Sequence, residues 1–152
     1  MIEKIENVQE KHDICTEILY GLPDWFGVEE SIIEYAEGVK TKPLWAAKID
    51  GKVQGFVALR ETSPYTAEVY VMGVSGKCHR SGIGRKLFEA LYAYAKEQGY
   101  EFLQVKTVRE GMYEDYDRTN AFYKSMGFKE FECLADYWDE ANPCQIYVMA
   151  VR

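Results

Sequence analysis

Val71-Met-Gly-Val-Ser-Gly-Lys-Cys-His-Arg-Ser-Gly-Ile-Gly-Arg-Lys-Leu-Phe88 decides the fold of this 152-residue chain. An apolar, β-branched run enters a short polar turn. Gly82 and Gly84 then open an amphipathic helical pattern. A helix N-terminus presents several unpaired N–H donors and about half an elementary positive charge, so it attracts phosphate. Gly82 and Gly84 let the backbone approach a ligand where a Cβ would clash. Arg80, Arg85 and Lys86 add mobile positive charge. The stretch reads as a pyrophosphate cradle. A glycine turn that merely caps an ordinary helix is the plainer reading of the same residues.

Outward from the turn, Ile83, Leu87, Leu91 and Ala95 fall on one helical stripe, with Phe88 and Tyr92 beside it. Gly99 ends that helix, and Phe102–Val108 reads as a strand. With Ala67–Val74 in front, this is a strand–turn–helix–strand unit, a parallel crossover. Further upstream, Leu44–Ile49, the turn Asp50-Gly51 and Val53–Leu59 form a hairpin signature, broken by Thr62-Ser63-Pro64. Ile2–Val8 reads as a first strand. Helices are expected over Lys11–Tyr20 and Glu29–Glu37, with Gly38 as the residue that terminates the second. Asp24-Trp25-Phe26-Gly27 is an aromatic loop between them. Downstream, Thr119–Met126 is a short helix closed by Gly127. Phe128–Leu134 and Gln145–Val151 are the last strands, with a loop between. The expected fold is α+β, a single domain over 1–152. Its mixed sheet has an antiparallel meander that switches to parallel pairing at the glycine turn, flanked by about four helices.

Composition narrows the function. The formal net charge of −7 disfavours nucleic acid, whose binding rests on neutralising phosphates with Lys and Arg. It draws cationic substrates mildly by long-range attraction. Apolar residues make up 47%, which suits a packed core rather than disorder. No apolar run reaches the roughly 18 residues of a membrane span, and Met1–Asn7 lacks signal-peptide architecture. A cytoplasmic location and no membrane partner are the expectation. Cys15, Cys78, Cys133 and Cys144 are scattered with no C-x-x-C spacing, and no disulfide is expected. His12 and His79 lack neighbours at metal-ligand spacing, so no metal is expected. Cys78 and His79 are adjacent and point to opposite faces of an extended chain, which argues against a nucleophile–base pair.

Three phosphate-binding patterns compete for the glycine turn. A P-loop closes on Gly-Lys-Ser/Thr, absent here. A dinucleotide fingerprint needs a third Gly or Ala where Leu87 stands. His79-Arg80-Ser81-Gly82-Ile83-Gly84 resembles the Gln/Arg-x-x-Gly-x-Gly/Ala motif of the GNAT acetyltransferases, with His79 in place of Gln or Arg. Asn120-Ala-Phe-Tyr123 running on to Gly127-Phe128 resembles the Asn…Phe-Tyr-x-x-x-Gly-Phe segment near the C-terminus of that family. With the paired helices, the meander and the last hairpin, the resemblance covers nearly the whole chain.

The resemblance implies coenzyme A as the pyrophosphate-bearing partner. Backbone groups of Met72 and Val74 would pair with the pantetheine arm, the Met72 N–H polarising the acetyl carbonyl. N–H groups of Arg80, Ser81, Gly82, Ile83 and Gly84, beside His79 and Arg85, would hold the pyrophosphate. Asn120 would cap its helix or bond a ligand amide. Tyr123, three residues on and on the same face, would protonate the departing thiolate. Glu68 shares a strand face with Tyr70, Met72 and Val74. A half-buried carboxylate there suits a general base, with a water chain as the alternative and Tyr70 as a lesser candidate for orienting water. The acceptor would meet Trp25, Phe26, Tyr35, Tyr137 and Trp138. Asp24, Glu114, Asp115, Asp117, Asp136 and Asp139 lie nearby in sequence, walls that suit an organic cation.

The expected function is acetyl-CoA-dependent N-acetyl transfer to a primary amine of a small molecule, by direct attack in a ternary complex. A non-catalytic coenzyme A-binding or protein-interaction module on the same fold is the alternative, and His79 is a point in its favour. A homodimer is left open.

Overall fold

A computed structural model describes the whole chain, Met1 to Arg152. In order, its elements are β1 (Ile2–Ile5), α1 (Val8–Tyr20), α2 (Glu29–Gly38), β2 (Leu44–Ile49), β3 (Lys52–Ser63) and β4 (Thr66–Val74). Then come α3 (Ile83–Glu97), β5 (Phe102–Val108), α4 (Glu114–Met126), β6 (Lys129–Asp139) and β7 (Asn142–Ala150). The strands form one mixed sheet in the order β1-β2-β3-β4-β5-β7-β6. β4 and β5 pair in parallel from Thr66↔Phe102 to Val69↔Val105. β1–β2, β2–β3, β5–β7 and β6–β7 are antiparallel. This is the α+β architecture with four helices that the glycine turn implies. The chain divides into two compact units, Met1–Arg60 with Tyr70–Tyr94, and Glu61–Val69 with Ala95–Arg152.

In the first unit, Asp50 and Gly51 take φ of 52° and 78°, the paired left-handed conformation of a type I′ turn, which sets the β2–β3 register. The Asn7 side chain accepts from the Glu10 N–H at 2.8 Å and starts α1. α1 buries Ile14, Cys15, Ile18 and Leu19 against Ile32 and Ala36 of α2 and against Leu44, Phe56 and Ala58 of the strands. Glycine makes the close approaches: a Cβ on Gly73 would lie 2.9 Å from Ile18 Cγ2 of α1, and one on Gly55 would lie 3.2 Å from Leu87 Cδ1 of α3. α3 buries Ile83, Leu87, Phe88, Leu91 and Ala95, the stripe its spacing predicts. Gly38 differs from expectation. Its φ is −62°, and the chain continues through it into a turn of 3-10 helix at Val39–Thr41. Gly38 does not terminate α2 by a left-handed cap; its missing Cβ makes room for Tyr70.

In the second unit, α4 begins at Glu114 rather than Thr119. No side chain caps it. Its first turn holds Glu114, Asp115 and Asp117, whose charges complement the helix N-terminus. Gly127, at φ 110°, ends α4, and the Phe128 N–H folds back to the Tyr123 carbonyl at 3.1 Å. Asn120 therefore lies inside a helix, not at its start, and the capping expectation gives way. The final hairpin is also longer than expected. β6 runs to Asp139 and β7 restarts at Asn142, where turn-type residues suggest a loop from 135 to 144. β6 lies at the sheet edge and is exposed along its length, with only Leu134 half-buried. No helix is long and apolar enough to cross a membrane.

Candidate functional site

The turn between β4 and α3 is built as its sequence suggests. Gly82 has φ 86°, and an added Cβ there would meet open space. Arg80 has φ 67°, a left-handed conformation that costs a non-glycine residue about 1–2 kcal/mol. The strain holds the chain tight as it enters the helix. The Lys86 N–H bonds to the Gly82 carbonyl at 3.2 Å, so the N–H groups of Ile83, Gly84 and Arg85 precede the first ladder bond of α3. Arg80, Arg85 and Lys86 are exposed around them. The Ser81 N–H is engaged inside the turn, donating to the Cys78 carbonyl at 3.2 Å. The Ser81 hydroxyl bonds the same carbonyl.

His79 does something its motif position does not announce. Its Nε2–H donates to the Val74 carbonyl at 2.8 Å, and its ring stands edge-on to Trp25 at 5.5 Å between centroids. One of the two residues expected to offer its backbone to pantetheine thus has its carbonyl bonded to an imidazole. Met72 and Val74 are half-buried at the end of β4.

Phe26, Tyr35 and Tyr70 form a chain of edge-on rings, with centroids 6.0 and 5.3 Å apart. Lys42 Nζ lies 4.4 Å from the Tyr70 ring centroid and Arg60 Cζ lies 5.5 Å from it. A Cβ on Gly38 would collide with the Tyr70 hydroxyl. Burial and the nearby Arg60 charge push the Lys42 ammonium below its ordinary pKa.

In the second unit Glu68 is 3% exposed rather than half-buried. Its Oε2 accepts from Lys106 Nζ at 2.5 Å and from Gln104 Nε2 at 2.9 Å. The parallel register places Glu68 opposite Gln104, and Lys106 follows two residues on, on the same face. Lys106 Nζ also lies 5.7 Å from the centroid of Tyr137. The sequence signal for this pair was the polar alternation Gln104, Lys106 within an otherwise apolar strand.

Asn120 is fully buried. Its Nδ2 donates to the carbonyls of Val108 and Tyr116 at 2.9 and 2.7 Å, and its Oδ1 accepts from the Tyr147 hydroxyl at 2.5 Å. It ties α4 to β5 and β7. Tyr123, one turn on, is 7% exposed, its ring edge-on to Phe122 and Phe128. Tyr137 and Trp138 stand edge-on to each other on exposed β6.

Three of the six carboxylates expected to wall a cation are hydrogen-bonded elsewhere. Asp115 pairs with Arg118, Asp117 accepts from the Gly111 N–H at 2.6 Å, and Asp139 accepts from Asn142. All four cysteines are free thiols, and no group of three or more His, Cys, Asp or Glu is placed to hold a metal ion.

Comparison with known proteins agrees with the fold. The sequence profile described as "Acetyltransferase (GNAT) domain" matches residues 40–130. N-alpha-acetyltransferase RimI of Mycobacterium tuberculosis is 35% identical over 84 residues, 55% of this chain and 48% of that protein. The chain thus matches about half the length of that curated relative. Among solved structures, IAA acetyltransferase from Bacillus cereus superposes with a TM-score of 0.77 at 25% identity, covering 99% of this chain and 98% of that one. An aminoglycoside 6'-N-acetyltransferase complexed with coenzyme A gives 0.81 at 15% identity, covering 100% and 97%; at that identity the likeness is one of fold. On the profile match and the fold together, this chain belongs to the GNAT acetyltransferase family.

Proposed function

We propose that this protein transfers an acetyl group from acetyl-CoA, the acyl donor of its family, to a primary amine of a small molecule within a ternary complex. The observation that carries the reading is the glycine turn. A strained Arg80, an open Gly82 and three exposed cations surround the first N–H groups of α3. Together they suit a pyrophosphate. The N–H groups of Ile83, Gly84 and Arg85 complete that cradle, His79 and Ser81 bracing the turn from inside, with the backbone of Met72 and Val74 leading to the thioester.

The amine nitrogen attacks the acetyl carbon, and the Met72 N–H stabilises the oxyanion that develops. The carbon–sulfur bond then breaks and Tyr123 gives its proton to the thiolate; the nitrogen releases its surplus proton to water to become the amide, and Tyr123 is reprotonated from water. The ammonium must first lose a proton. A carboxylate already bonded to Lys106 and Gln104 is a poor direct acceptor, so the proton leaves through water anchored by Glu68. Asn120 positions α4, and with it Tyr123. His79, standing where the family motif carries Gln or Arg, supports a second reading, coenzyme A binding without transfer.

Thermal shift and thiol release decide between them. Acetyl-CoA at about 100 times its dissociation constant should stabilise the fold by roughly 2.7 kcal/mol. Gly82→Val should remove that shift while the protein stays folded: the added side chain meets open space, and its φ of 86° adds a strain of about 1–2 kcal/mol that lowers the melting temperature without unfolding the domain. Thiol release across an amine panel supports transfer; a shift without release supports binding alone. No shift at millimolar acetyl-CoA or coenzyme A overturns both.

A further inference from the structure

Resting on the coenzyme A-binding part of that reading, we infer that His79 is a positioning residue that ties the loop 21–28 to the donor turn, so that Trp25 sets the affinity for coenzyme A through the imidazole. Two contacts converge on this one exposed ring. Its Nε2–H donates to the Val74 carbonyl at 2.8 Å, which closes the turn back on the end of β4. A carbonyl can only accept, so Nε2 carries the proton whether the imidazole is neutral or charged. The other contact is Trp25, edge-on with centroids 5.5 Å apart and planes at 86°. Arg80 follows directly, in its left-handed conformation. Such a conformation persists only where its surroundings over-determine it. Behind it, the Ser75 N–H donates to the Gln54 carbonyl at 2.7 Å and the Cys78 N–H to the Ser75 carbonyl at 2.8 Å, so the turn is moored to β3. His79 adds the mooring to β4. Without it Arg80 relaxes, and the N–H groups at the start of α3 lose their aim.

Trp25 brings the loop into the same device. The N–H groups of Trp25 and Phe26 both donate to the Leu22 carbonyl, at 3.1 and 2.9 Å, so the two rings ride on one tight turn. Phe26 stands edge-on to Tyr35, and Tyr35 to Tyr70 of β4. The loop is thus seated at two places, on β4 through Phe26 and on the donor turn through Trp25. Its aromatic residues are the ones expected to meet the acceptor, so a single imidazole joins the two substrates' sites. Gln, one of the residues the family motif carries at this position, could keep the carbonyl bond but has no aromatic edge. The histidine supplies both contacts at once.

The test is calorimetric titration of the full chain with coenzyme A, which needs no turnover. His79→Ala should weaken binding about three- to tenfold, the scale of one hydrogen bond. Trp25→Leu, and separately Trp25→Met, should weaken it about two- to tenfold, the scale of one ring pair. The double variant of His79→Ala with Trp25→Leu should bind no more weakly than His79→Ala alone, because Trp25 acts through the imidazole. His79→Gln rebuilds the carbonyl bond and should recover part of the affinity; Trp25→Leu added to it should change nothing further. Hydrogen exchange on the protein without ligand gives a second readout: the Trp25 and Phe26 amides should exchange faster in His79→Ala and in His79→Gln than in wild type, with the amides of α3 from Leu87 onward unmoved. Losses that multiply in the double variant would mean that Trp25 meets coenzyme A by its own contact, and would overturn the inference. So would an affinity unmoved by the Trp25 variants, or loop amides unmoved by His79→Ala. Wild type that binds no coenzyme A would sink the donor reading itself, a result distinct from binding that the variants leave unchanged.

Discussion

Glu68→Gln keeps the shape of the side chain and removes the charge opposite Lys106. The Glu68 side chain is 4% exposed and that of Lys106 is 18%. Neutralising one partner of a buried ion pair costs about 3–5 kcal/mol, because the other charge stays out of water without a counter-charge. Lys106 keeps some contact with solvent, which places the expected loss at the lower end, about 3 kcal/mol. For a domain of this size each kcal/mol moves the melting temperature by roughly 2–4 °C, so the variant should melt roughly 6–12 °C below wild type. Urea titration followed by circular dichroism at pH 7 measures the first figure and a thermal scan the second. Adding Lys106→Met removes the stranded ammonium and should recover part of the loss. A Glu68→Gln protein within 1 kcal/mol of wild type would refute the ion-pair argument. So would a double variant no more stable than the single one. Turnover of the folded variant reports separately on chemistry: direct loss of a base is relieved as pH rises and the amine becomes neutral, whereas loss of a water anchor is not.

Asn120→Ala takes the side-chain partner from the Val108 carbonyl and the Tyr147 hydroxyl in the interior, and should cost about 3 kcal/mol in urea titration; a loss below 1 kcal/mol would show that water replaces the amide. Tyr123→Phe should lower kcat by about 10² to 10⁴-fold with little change in acetyl-CoA affinity, since the missing proton matters in the transition state. An unchanged rate where chemistry limits turnover would leave Tyr123 as a packing residue. Burial pushes the Cys15 thiol up to about 12 and that of Cys144 up to about 11. A thiol reagent at pH 8 should therefore label exposed Cys133 first, half-buried Cys78 more slowly, and the other two only in urea; four thiols reacting in one phase would contradict this placement.

Most of the fold was legible because its signals are local. Asp50-Gly51 dictates a left-handed two-residue turn, and the Ile83–Ala95 stripe dictates which face of α3 is buried. The early start of α4 was missed because Glu114–Arg118 carries no apolar period; its acidic first turn was the only cue. The hairpin β6–β7 was cut short because Asp136, Asp139, Asn142 and Pro143 are turn-type residues, yet an edge strand tolerates them. In the site, the glycine turn was readable and the partners of its neighbours were not. Lys106 reaches Glu68 only through the β4–β5 register, and Lys42 and Arg60 converge on Tyr70 from separate elements. Gly38 looked like a helix terminator because glycine's commonest use hides its other one, making room for a ring.

β6 leaves one side of its backbone without a strand neighbour from Lys129 to Asp139. Such an edge invites another chain to pair with it, the more so with Phe131, Tyr137 and Trp138 exposed along it. Glu130, Glu132, Asp136 and Asp139 interrupt that apolar run. Two molecules meeting edge to edge would set these carboxylates against one another at a strand spacing of about 4.8 Å. At about 0.15 M salt the screening length is about 8 Å and the repulsion persists; at 1 M it shrinks to about 3 Å and the fence fails. Ionic strength, rather than temperature or concentration alone, would govern any such pairing of edges.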